Sequence, residues 1–68
     1  MNTHYTASVT FNFRNAAGAL ETKTLSQDVT DEIAEGADRE ALTDRIYWKE
    51  IVGKFSEVDI LGGGVESV

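Results

Sequence analysis

His4 is the one imidazole in 68 residues, and there is no cysteine. A nucleophile activated by a neighbouring base would have to rely on this single histidine. It falls near the start of the sequence, on the polar side of an alternating segment, where it reads as a surface residue. Carboxylates are the plentiful groups, twelve Asp and Glu against six Lys and Arg. A calcium loop needs acids at alternate positions, a glycine at the sixth and a glutamate at the twelfth. Asp28, Asp31, Glu32 and Glu35 follow helical spacing instead, which fans acids out to solvent rather than caging an ion. Gly62-Gly63-Gly64 lacks the following helix and the lysine of a phosphate-binding loop. The expectation is a non-enzyme with no cofactor and no metal.

What the acids can do is present a field. Asp28, Asp31, Glu32, Glu35, Asp38, Glu40 and Asp44 lie within one segment whose only cation is Arg39, so this run accounts for the net charge of -6. Such a surface repels nucleic acid and anionic membranes and attracts basic protein surfaces. Acids at i, i+3, i+4 and i+7 of one helix are spaced comparably to the phosphates of a DNA strand, roughly 7 Å apart. Held rigidly, they would accept charge-assisted hydrogen bonds from an arginine and lysine groove. An acidic face also serves solubility alone. Arg45, Lys49 and Lys54 surround Trp48, but they balance Asp44 and Glu50 more simply than they track a phosphate backbone. Tyr47 and Trp48 read as core residues.

These side chains need elements to position them. Tyr5, Ala7, Val9, Phe11 and Phe13 alternate with His4, Thr6, Ser8, Thr10 and Asn12, the period of a half-buried strand. Arg14 to Gly18 has the Asn and Gly of a hairpin loop, and Leu20 to Gln27 reads as the returning strand. Its threonines and charges suit a sheet edge, with Leu20, Thr22 and Thr24 on one side and Glu21, Lys23 and Leu25 on the other. From Asp28 the period becomes helical. Val29, Ile33, Ala37 and Ala41 form an apolar stripe opposite the acids, with Ser26 or Thr30 as cap. Gly36 invites a break near residues 36–38. A restart capped by Thr43 or Asp44 would gather Tyr47, Trp48, Ile51, Val52 and Phe55 on one face, with Gly53 just past its end. Ser56 to Leu61 alternates as a third strand.

The expected fold is therefore α+β: a three-stranded antiparallel sheet with one or two helices on one face, in the order β-β-α(-α)-β. Residues 1–61 form the single domain, and 62–68 a flexible glycine-rich tail. At 41% apolar residues with three Phe, two Tyr and one Trp, the composition is too hydrophobic for a disordered acidic segment. The longest apolar runs are far too short to span a bilayer. Met1-Asn2-Thr3-His4 lacks the basic and apolar parts of a secretory signal. A cytoplasmic location and a monomeric state are the expectations.

In size, lack of Cys and Pro, acidic balance and element order, the chain resembles the small phage-encoded anti-CRISPR proteins, some of which mimic DNA. The residues that carry the resemblance are Asp28, Asp31, Glu32, Glu35, Asp38, Glu40 and Asp44. It implies a non-catalytic inhibitor that binds a basic, nucleic-acid-binding surface, such as a CRISPR surveillance-complex subunit, and blocks target DNA. It also implies action in the host cell cytoplasm, while the net negative charge itself leads us to expect no direct contact to nucleic acid or membrane. The competing expectation is a small structural or assembly module. It would pair through the Leu20–Gln27 edge or through the Tyr47/Trp48 face.

Overall fold

The computed structural model describes residues 3–67. Strand β1 (Tyr5–Arg14) is central, flanked by β2 (Leu20–Asp28) and β3 (Ser56–Ser67), and both pairings are antiparallel. Between β2 and β3 run two short helices, α1 (Thr30–Ala34) and α2 (Arg39–Ile46). A single π-helical turn, Tyr47–Ile51, continues α2. This is the expected α+β order, with β2 at an edge. Among the described residues no helix is long and apolar enough to cross a membrane.

The alternation of β1 does what its period requires. Ala7, Val9 and Phe11 are buried against Val29, Leu42, Ile46 and Ile51, while Tyr5 and Phe13 pack at the ends of this cluster. In β2, Leu25, Lys23 and Glu21 stand opposite Val9, Phe11 and Phe13 and share their face. The other face carries Thr6, Ser8, Thr10 and Asn12 beside Thr22, Thr24 and Ser26, with the Thr10 and Thr24 hydroxyls 2.8 Å apart. At one end, Phe55 packs edge-on against Phe11 and Phe13, with ring centroids 5.0 and 4.8 Å away. The Lys23 ammonium lies 5.6 Å from the Phe55 ring centre, an inward-leaning charge on an edge strand.

The molecule is long for its size. Its extents are 46 × 19 × 15 Å and its radius of gyration is 13.4 Å, against about 11 Å for a compact domain of this length. Two short helices cover only part of so long a sheet, and apolar side chains stay exposed near β3: Ile60 at 44% and Leu61 at 54%.

Four expectations are corrected. Gly62-Gly63-Gly64 is not a tail: β3 runs through it to Ser67, with Gly62, Gly63 and Gly64 opposite Thr10, Val9 and Ser8. Pairing to a strong central strand compensates for glycine's low strand preference. Val68 of the expected tail lies outside the described residues, as do Met1 and Asn2 of the N-terminal segment. The second helix restarts earlier than expected, at Arg39. The Asp38 carboxylate caps it by accepting from the Glu40 amide at 3.0 Å. Ala37 and Ala41 are therefore exposed, because the helix they would extend has already ended at Ala34. Gly36, at φ +87°, supplies the left-handed residue that ends α1.

The fourth correction is Trp48, which is 67% exposed rather than core. Ile51 sits five residues beyond Ile46, which a regular α-helix would turn about 140° away. The π-helical turn, marked by the Val52 amide donating to the Tyr47 carbonyl at 2.9 Å, brings Leu42, Ile46 and Ile51 onto one buried line. Trp48 and Val52 are rotated outward by the same turn.

Candidate interaction surface

Asp28, Asp31, Glu32 and Glu35 do not form the expected helical stripe, because α1 contains only Thr30–Ala34, whereas Asp38, Glu40 and Asp44 belong to a second element beyond Gly36. Asp28 is the last residue of β2, and Glu35 is the residue that closes α1. Asp28 holds a local network together. Its Oδ1 accepts from the Thr30 hydroxyl at 2.6 Å and from the Thr30 amide at 2.9 Å. The Thr30 hydroxyl oxygen in turn accepts from the Tyr5 amide at 2.9 Å, and the Val29 amide donates to the Tyr5 carbonyl at 3.0 Å. The start of α1 is thereby fastened to the start of β1. The Thr30 hydroxyl, and next its amide, hold the Asp28 carboxyl below the usual carboxylate range, with a smaller contribution from nearby His4.

Glu32 also has an internal partner. Its carboxylate lies 3.6 Å from Arg45 of α2, whose guanidinium donates to Gln27 of β2 at 2.9 Å. Asp38 is engaged as the cap of α2. Arg39, the cation within the acidic segment, turns toward the sheet, with its guanidinium carbon 5.7 Å from the Tyr5 ring centre. Asp31, Glu35, Glu40 and Asp44 are exposed, and among the described residues their carboxylates make no ion pair or side-chain hydrogen bond. The seven acids thus divide into three with a partner in the fold and four without one among the described residues.

His4 is exposed and shares a shallow hollow with Tyr5, Asp28 and Asp31. Among the described residues, no three side chains of His, Asp or Glu converge as metal ligands do. The local basic-aromatic group is also dispersed: Lys54 lies 3.6 Å from Glu50, while Arg45 is committed to Glu32 and Gln27.

Two further surfaces are present, and only the second escapes the sequence patterns, since the Tyr47/Trp48 face is already one of the expected pairing surfaces. One is Trp48, stacked edge-on against Tyr47 at 5.4 Å between centroids, beside Val52 at 40% exposure. The other is a groove of about 310 Å³ between α2 and β3. Val9 forms its floor, Tyr47 and Ile60 its apolar walls, Gly62 and Gly63 its strand side, and Thr43 and Asp44 its rim. The groove exists because Gly62 and Gly63 are paired strand rather than tail. The apolar Val65 beyond them was the available signal that the strand continues.

Comparison of the chain with protein-family models, with curated proteins and with solved structures finds no match in any of the three.

Proposed function

We propose that this chain is a non-catalytic inhibitor whose acidic helical layer occupies a basic, nucleic-acid-binding protein surface and excludes nucleic acid from it. The observation that carries the reading is the group Asp31, Glu35, Glu40 and Asp44, exposed and without internal partners among the described residues, on a layer fixed to the sheet. Carboxylates already paired inside the fold have little left to offer a ligand. These four keep their full hydrogen-bonding capacity for arginine and lysine. The short α1 removes the regular phosphate-like row expected of Asp28, Asp31, Glu32 and Glu35, so the mimicry is of charge rather than of strand spacing.

A protein partner follows from the sign of the field, since nucleic acid and anionic membranes are repelled. The resemblance to anti-CRISPR proteins makes a surveillance-complex subunit the first partner to test. Capture from a bacterial lysate at low and high salt should yield a partner lost at high salt. The triple reversal D31K/E35K/E40K should lose it at both, with an unchanged circular dichroism spectrum. Retention by that variant overturns the reading. The variant leaves Asp28, Glu32 and Asp38 in place because those side chains support the fold.

Trp48 favours a second reading. A tryptophan two-thirds exposed beside Val52 is the type of residue that anchors apolar interfaces. On this reading the chain is a small assembly module, and its partner is retained at high salt but lost in Trp48→Ala.

A further inference from the structure

We infer that the groove between α2 and β3 is a strand-addition site, which takes an extended segment of a partner protein carrying alternate aliphatic side chains and a lysine or arginine. This goes beyond the acidic helical layer, with which it shares only Asp44. Three observations converge on it.

The first is the edge itself. β3 lies at the open side of the sheet, and an edge strand leaves alternate N–H and C=O groups unpaired. The two edges are not equivalent. β2 carries Lys23 leaning inward over Phe55, a charge that a strand added there would have to bury. β3 is irregular in its first half, where the register with β1 shifts between Asn12 and Arg14 and again between Thr10 and Phe11. From Gly62 to Ser67 the register is unbroken, opposite Thr10 to Tyr5. This half has no lysine, no proline and no bulge, and Glu66 is its one charge. Gly62 and Gly64 have no neighbour within 4 Å of the position a Cβ would occupy, so the sheet face opposite the groove is open along this half of β3.

The second observation is the groove alongside. A strand laid on this edge directs every second side chain toward the helical side of the sheet. There α2 stands back from β3 and leaves about 310 Å³ above Val9, walled by Tyr47 and Ile60. That space takes an aliphatic side chain. The third is charge. Asp44 stands exposed on the rim, and among the described residues it has no ion-pair partner and no cation lines the groove. A cationic residue next to the aliphatic one completes it. A second copy of this chain is the poorer occupant, because two bodies of net charge -6 repel.

The test is a selection of random nine-residue peptides on the immobilised full-length chain, run in parallel on D44K. On the unmodified chain, enriched peptides should alternate aliphatic residues with polar ones and carry a lysine or arginine at a fixed offset. On D44K that basic position should disappear or become acidic. The enriched peptide should bind D44K on the order of tenfold more weakly than the unmodified chain. Replacing its central residue by proline should abolish binding, since proline cannot donate to the ladder. Amide resonances of Gly62 to Val65 should shift on addition of the peptide. The D31K/E35K/E40K chain should bind it within about twofold of the unmodified one, which separates this site from the acidic layer. The inference is overturned if no peptide is enriched, if D44K selects the same sequences, or if the proline variant binds equally. Amide shifts confined to Asp31–Glu40 would also overturn it. So would an edge that self-associates with rising concentration and no peptide, because a second copy would then be its occupant.

Discussion

The Arg45 guanidinium stands 3.6 Å from the Glu32 carboxylate, and the same nitrogen donates to the Gln27 side chain at 2.9 Å. One cation of α2 thereby joins α1 and the edge strand β2, three elements that otherwise meet through few apolar contacts. The segment with the largest excess of negative charge is held down by a cation from outside it.

Arg45→Met should therefore destabilise the protein by about 1 kcal/mol in urea unfolding, since both a hydrogen bond and an ion pair are lost. The two side chains are 31% and 36% exposed, so solvent screening limits the ion pair to a fraction of that. A double-mutant cycle with Glu32→Gln should give a coupling of about 0.3–1 kcal/mol. Zero coupling would mean that the two charges merely lie near each other.

Asp28 supplies a pH prediction. Hydrogen bonds from Thr30 lower its pKa in the folded state. A carboxyl depressed in this way contributes stability that is complete above its unfolded pKa. The contribution is lost as pH falls through the folded value. Asp28→Asn should flatten the acid limb of the stability–pH curve in that window. In a carboxyl-carbon NMR titration the Asp28 midpoint should lie below that of an ordinary aspartate. Thr30→Val, which removes the hydroxyl but keeps the amide, should bring it part of the way back. An unshifted midpoint in the Thr30 variant would show that the hydroxyl is not the cause.

The π-helical turn predicts a contrast between neighbours. Ile51 is fully buried, and Ile51→Ala should cost about 2–5 kcal/mol, enough to unfold much of so small a domain. Trp48→Ala removes a larger side chain from a position 67% exposed, and its effect should stay within about 0.5 kcal/mol. Equal losses would mean that Trp48 packs in solution where a regular helix would place it.

The same turn marks where the amino-acid sequence stops being informative. The alternation from Tyr5 to Phe13 is legible because a strand's two faces are a strictly local property, and Gly36 is legible because only a left-handed residue was needed there. The burial of Ile51 in place of Trp48 depends on one carbonyl accepting from five residues ahead, which tertiary fit decides. The continuation of β3 is hidden for a related reason. Glycines carry no side-chain pattern, and their pairing is set by a partner strand some fifty residues earlier in the chain. Among the acids, charge could be counted but partnership could not. Asp28, Glu32 and Asp38 differ from the others only through contacts with Thr30, Arg45 and the Glu40 amide.

Gly63 and Gly64 are adjacent but should respond oppositely to alanine. A Cβ on Gly63 would meet the Ser8 carbonyl oxygen at 2.8 Å and Val9 at 3.5 Å, so β3 would have to move off β1. Gly63→Ala should cost about 1–3 kcal/mol. A Cβ on Gly64 meets nothing within 4 Å, and Gly64→Ala should add about 0.4–1 kcal/mol by restricting the unfolded chain. For a domain of this size each kcal/mol moves the melting temperature by roughly 4–8 °C. The pair is readily resolved by thermal unfolding, and two shifts of the same sign would contradict the close approach at Gly63.

Glu57 holds a left-handed backbone, φ +51°, at the irregular start of β3. For a residue with a Cβ that conformation costs roughly 1–2 kcal/mol, because the Cβ crowds the following carbonyl oxygen. Glycine avoids the crowding but loses more chain entropy on folding, an offset of about 0.5–1 kcal/mol. The side chain offers little against replacement: its carboxylate is 3.8 Å from Arg14 and 75% exposed, a pair worth almost nothing in water. Glu57→Gly should accordingly raise stability by up to about 1 kcal/mol in urea unfolding. Glu57→Ala, which keeps the Cβ and removes only the charge, should leave it nearly unchanged. If glycine destabilises while alanine does not, the turn at Glu57 is not left-handed in solution and the register shift between Asn12 and Arg14 must be absorbed elsewhere in β3.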